Sequence, residues 1–187
     1  MSKALLVIDV DHGNKWSSNI EDLNEDREQV ALAIRQTLAE WRASKGMIIF
    51  VVLTDTLPSS QIDQIATDNK RLECIVCDLP ANERLAGFLE HRHGAGYEPA
   101  FTKTTCDAFT NSELIGFLRS NGVTEVVLAG CSTFACVLHT AQGAVKNNFG
   151  VTLLERCTDP PFRYYEEKKH WIRSVTAEKA DIPVVIA

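Results

Sequence analysis

The sequence predicts an α/β fold in which a parallel sheet carries helices on both faces. Short apolar runs without alternation recur along the chain. Helical periodicity fills the intervals between them, and a polar or charged residue closes most of the runs. A strand that is apolar on both sides belongs in a sheet buried on both sides. Strand–helix alternation then gives right-handed crossovers.

The elements follow in order. Residues 3–10 (KALLVIDV) form a buried strand that ends in an acid. After the polar stretch 11–24, residues 25–44 repeat Val30, Ile34, Leu38 and Trp41 at helical spacing, with Gly46 as a stop. Residues 47–54 (MIIFVVLT) give a second buried strand, and the polar stretch 55–71 a surface excursion. A short helix is expected at 83–91, a brief third strand at 99–102, and a solvated loop around His91, Arg92 and His93. Leu114, Phe117 and Leu118 place the inward face of a helix at 111–121, ended by Gly122. The remaining elements are a strand at 126–129, a helix at 133–147, a strand at 151–155, a helix at 164–175 and a sixth strand at 182–186.

Length and composition set outer limits. A chain of 187 residues fits one domain, 1–187, at roughly 100–200 residues per domain. With 45% apolar and 24% charged residues the bulk of the chain is not disordered. The net charge of −6, without a basic block, argues against a nucleic-acid partner. No apolar run approaches the ~20 residues that span a bilayer. The run 4–8 is cut by Asp9 and is too short for a signal-peptide core, so a cytoplasmic protein is expected. Cys74, Cys77, Cys106, Cys131, Cys136 and Cys157 are then expected as thiols. The Cys74–Cys77 pair encloses Ile75 and Val76, which read as strand or core.

Ligands of such folds sit beyond the carboxyl ends of the strands. There the sequence puts Asp9, Lys103 and Cys136. Asp9 closes an apolar run, where an acid is costly unless it has a task. Lys103 follows the short third strand and has no neighbouring charge before Asp107. Cys136 falls in the first turn after a buried strand, where unpaired amides and the helix dipole favour a thiolate. An acid, a cation and a thiol at one sheet edge make an activated nucleophile: a base takes the thiol proton and the cation holds the sulfur. Trp16, Phe109, Phe134 and His139 are candidate pocket residues, with core packing an equal or stronger reading for the aromatic three.

These pieces resemble the isochorismatase-like cysteine hydrolase superfamily. The matching stretches are ALLVID at 4–9, Phe101-Thr102-Lys103 followed by Ala108-Phe109, and VVLAGCSTFACV at 126–137. The resemblance implies a three-layer, Rossmann-like fold whose six-stranded, mainly parallel sheet has the order 3-2-1-4-5-6. It implies a triad on Asp9, Lys103 and Cys136, and a cis peptide between Cys131 and Ser132. The amides of Ser132 and Cys136 would form an oxyanion hole. It further implies a small-molecule substrate with an amide, carbamoyl or related C–N bond, a thioester intermediate, and a homodimer or higher homo-oligomer.

The sequence departs from the family at three places. Nicotinamidases of the family begin a metal site with Asp-x-His after strand two; here Asp55-Thr56-Leu57-Pro58 lacks the histidine, so neither metal nor cofactor is expected. Asp11 stands where the family usually has Gln, and Phe134 where an acid is common. Two other readings compete. One is a haloacid-dehalogenase-like, magnesium-dependent phosphatase with Asp9 as nucleophile, resting on Asp9-Val10-Asp11, Thr54 and Lys103. The other is a non-catalytic binding or scaffold protein of the same family.

Overall fold

The computed structural model describes residues 2–10, 24–53, 91–93, 96–159 and 184–186. Strand β1 (Ser2–Ile8) is followed by helix α1 (Asn24–Ala43), β2 (Met47–Leu53), β3 (His91–His93), β4 (Gly96–Glu98) and β5 (Ala100–Lys103). A 3₁₀ turn (Ala108–Thr110) leads to α2 (Ser112–Ser120) and β6 (Val123–Cys131). A π-helical turn (Thr133–Val137), α3 (Leu138–Lys146), β7 (Gly150–Asp159) and β8 (Val184–Ile186) complete the order. The helices expected at 83–91 and 164–175 lie outside the described residues, apart from His91, which opens β3.

The main sheet has the order β5-β2-β1-β6-β7-β8, and every pairing in it is parallel. Counted along the six predicted strands this is 3-2-1-4-5-6. The order reverses between β1 and β6, so the crevice for a ligand opens where those two strands end.

β1 shows why its sequence is continuously apolar. Ala4, Leu6 and Ile8 face a core shared with Leu114 and Leu118 of α2 and Leu138, Ala141 and Val145 of α3. Leu5 and Val7 face the opposite core, with Val30, Ile34 and Leu38 of α1. Burial on both sides removes any polar position from residues 4–8, while Ser2 and Lys3 at the start of the strand are exposed.

Four local expectations are refined. α1 does not use Gly46 as its left-handed stop: Lys45 takes the positive φ, 57°. Gly46 is needed because a Cβ there would lie 2.6 Å from the Trp41 ring. His91–His93 pairs antiparallel with Gly96–Glu98 and is a hairpin strand, not a loop. The buried Glu98 takes the Arg42 guanidinium fork at 2.8 and 3.0 Å, tying the hairpin to the end of α1. β7 runs past Glu155 to Asp159 through an irregularity: Leu128 pairs with Leu153, but Gly130 pairs with Thr158. Inside it the Thr158 hydroxyl donates to the Glu155 carbonyl at 3.1 Å.

The fourth refinement bears on the site. The helix expected at 133–147 begins as a wide turn, with the Val137 N–H donating to the Ser132 carbonyl at 3.2 Å. Such one-turn π segments often mark functional positions in helices.

Candidate active site

Asp9 is the first residue beyond β1 and has φ 51°, which swings the chain out of the strand path. Its N–H donates to the Val51 carbonyl at 2.8 Å, and its carbonyl accepts from the Cys131 thiol at 2.9 Å. The side chain is buried. Space for this turn is kept by Gly130, whose φ is +117° and whose Cβ would collide with the Ile8 backbone.

Lys103 is the last residue of β5, and burial hides its side chain completely. Its Nζ lies 2.8 Å from Asp9 Oδ2, 3.2 Å from Cys136 Sγ and 3.2 Å from the Thr105 carbonyl. An ammonium has three protons, and here three acceptors surround it. The Thr105 carbonyl went unforeseen, because a backbone acceptor leaves no mark on residue type. Thr140 was also missed: its hydroxyl accepts from the Ala108 N–H at 3.1 Å and donates to the Cys106 carbonyl at 3.4 Å, fastening the loop after Lys103 to α3. Asp107 caps the 3₁₀ turn by accepting from the Phe109 N–H at 2.8 Å. Its carboxylate fills the space a side chain on Gly143 would need.

Cys136 lies in the π-helical turn and is 7% exposed. Its thiol pKa is pushed up to about 12 by burial, with the charge of Asp9 and a hydrogen bond to it adding to the rise, while Lys103 pulls the other way. The favoured thiolate expected from the helix start is therefore reversed at rest, because desolvation and a neighbouring carboxylate outweigh the cation. Burial alone would lower the Lys103 pKa. Asp9, by its charge and its hydrogen bond, and then Cys136 more than offset that, so the lysine titrates above its usual range. The resting group is an ammonium–carboxylate pair beside a neutral thiol.

The Cys131–Ser132 peptide is cis, as the resemblance implied, and Ser132 is exposed. Phe134 is half-buried at the edge of the α2–α3 core. Phe109 is buried with its ring 5.4 Å from that of Phe149, a core position. His139 is half-buried, and its Nδ1 lies 2.7 Å from the Ala135 carbonyl. A carbonyl only accepts, so that nitrogen carries the proton. Trp16, Asp11, Thr54 and the segment 55–58 lie outside the described residues.

A family model, the isochorismatase domain, matches residues 3–178. The chain belongs to the isochorismatase family. With that membership the phosphatase reading of Asp9 falls away. Maleamate amidohydrolase of Pseudomonas putida is 31% identical over 83 residues, which are 44% of this chain and 39% of that protein. The chain thus matches about two fifths of the length of this curated relative. Among solved structures, nicotinamidase/pyrazinamidase of Bacillus subtilis has a TM-score of 0.67 at 21% identity, covering 99% of this chain and all of that one. N-carbamoylsarcosine amidase of Thermoplasma acidophilum has a TM-score of 0.62 at 19% identity, covering all of this chain and 96% of that one. At such identities the likeness is one of fold. Among the described residues no group of three or more His, Cys, Asp or Glu side chains is placed to hold a metal ion, and the segment 55–58, where the sequence lacks the family's histidine, lies outside them.

Proposed function

We propose that this isochorismatase-family protein hydrolyses an amide or carbamoyl C–N bond of a small molecule through a thioester on Cys136. One observation carries the reading: a fully buried Lys103 ammonium bridges a carboxylate at 2.8 Å and a thiol at 3.2 Å where the strand order reverses. The relatives named amidase, nicotinamidase and amidohydrolase support the bond class.

The steps use this chain's own groups. Asp9 takes the proton of the Cys136 thiol as the sulfur attacks the carbonyl carbon. Lys103 holds the developing thiolate, which offsets the charge cost of burying it. The carbonyl oxygen becomes an oxyanion received by the backbone amides of Ser132 and Cys136. The C–N bond breaks as protonated Asp9 returns its proton to the leaving nitrogen. Water, deprotonated by Asp9, then attacks the thioester, and the thiol leaves with its proton restored. The products are a carboxylic or carbamic acid and an amine or ammonia.

An ammonia-release screen over small amides, ureides and carbamoyl compounds, with Cys136→Ala as control, tests this. Turnover of at least one class by the native chain and its loss in the variant are expected. Equal turnover by both would remove Cys136 as nucleophile. No turnover of any class would favour the non-catalytic reading.

A further inference from the structure

Pairing of β1 with β2 and β6 ends at Ile8, which faces Val51 on one side and Gly130 on the other. Asp9 lies one residue past the last paired position, with its N–H still on Val51, and it is buried. A buried carbonyl at such a point needs a donor. The donor is the Cys131 side chain, one residue beyond Gly130, with Sγ 2.9 Å from the Asp9 carbonyl oxygen. The Asp9 N–H is held on the other side by Val51 at 2.8 Å. The two bonds clamp the peptide groups on either side of the Asp9 Cα. They therefore fix the direction in which its carboxylate leaves the backbone, toward Lys103 Nζ.

We propose that Cys131 is a positioning residue: its thiol, by donating to the Asp9 carbonyl, holds Asp9 in the left-handed conformation that aims the carboxylate at Lys103 and Cys136. The proposal deepens the hydrolase reading and rests on it for its catalytic meaning. Its physical content, the aim of Asp9, is measurable without a substrate. Any donor of similar reach in this place would serve, whereas an apolar residue of similar volume would fill the space and take this donor away.

Three variants separate these roles. Cys131→Ser keeps a donor. Cys131→Val keeps the volume and removes the donor, and Cys131→Ala removes both. The probe is iodoacetamide at pH 8, with modification of Cys136 followed by peptide mass mapping. Asp9 raises the Cys136 thiol pKa through its charge and hydrogen bond, so a misaimed carboxylate leaves the thiol easier to ionise and faster to alkylate. We expect Cys131→Val and Cys131→Ala to raise the Cys136 alkylation rate by roughly threefold or more, about half a pKa unit, and Cys131→Ser to stay near the native rate. On any amide that the native protein turns over, the donor-less variants should lose kcat with KM little changed, and Cys131→Ser should restore kcat. Native-like alkylation in Cys131→Val, or a Cys131→Ser variant indistinguishable from it, would overturn the proposal. If the native protein releases no ammonia from any amide, the hydrolase reading fails while the alkylation series still decides the role of Cys131.

Discussion

Two thiols are buried on opposite faces of one sheet. Cys157 lies in the core under α1, and Cys136 in the core shared with α2 and α3. Burial pushes both thiols above the usual range. Cys157 has the Thr37 hydroxyl at 3.4 Å and the exposed Arg156 as partners, whereas Cys136 has the fully buried Lys103 ammonium at 3.2 Å, itself paired with Asp9. Low accessibility therefore says little about reactivity. A hydroxyl and a surface guanidinium offer the Cys157 proton no base. At Cys136 a carboxylate can accept the proton and a buried cation can hold the sulfur that remains.

The sharpest break in this comparison comes from deleting each sulfur. Cys136→Ala is expected to lower turnover by about 10⁴-fold or more, and Cys157→Ala to leave it near the native value, read by ammonia release on the same amide. Equal losses would erase the distinction between the two sites. Next in size is the removal of the cation. Lys103→Met strands the Asp9 carboxylate in a buried position and should destabilise the fold by about 3–5 kcal/mol in urea titrations, with partial recovery in the double variant with Asp9→Asn. An unchanged midpoint would mean that the pair is solvated.

Asp9→Asn tests the carboxylate with little backbone disturbance, since asparagine tolerates the left-handed region that Asp9 occupies at φ 51°. Turnover should fall by about 10²–10⁴-fold as the general base is lost. Alkylation of Cys136 at pH 8 should nevertheless speed up, because two causes that raise its pKa are removed and Lys103 remains. Slower alkylation would contradict the electrostatic picture.

The smallest effect is on alkaline stability. The Cys136 thiol titrates near 12 in the fold and near ~8.5 in an unfolded chain, so the folded state binds the proton more tightly. Its contribution is complete below the unfolded value and is lost as pH rises toward the folded one. Urea midpoints of the native protein should therefore decline above about pH 8.5 more steeply than those of Cys136→Ala. Parallel declines would place the thiol in a solvated setting.

Much of the fold could be read from residue patterns. β1 and β2 were legible because strands buried on both faces are apolar over their buried length, and α2 because Leu114, Phe117 and Leu118 repeat at helical spacing and Gly122, at φ 67°, ends it. The positions of Asp9 and Cys136 beyond strand ends were legible for the same reason. The split of 133–147 into a π-helical turn and α3 was not, since its hydrophobic spacing suits an α-helix throughout. Nor was the burial of Lys103, because a lysine after a short strand looks like a surface residue until β5 is docked beside β2.

The sequence by itself determined the elements, their alternation and the chemistry at the strand ends, because those depend on neighbours a few residues apart. Only the tertiary structure decided that 94 residues of separation between Asp9 and Lys103 close to 2.8 Å, and that the Cys131 thiol reaches the Asp9 carbonyl. Those contacts follow from strand order and register, which are set by long-range pairing that no local pattern encodes.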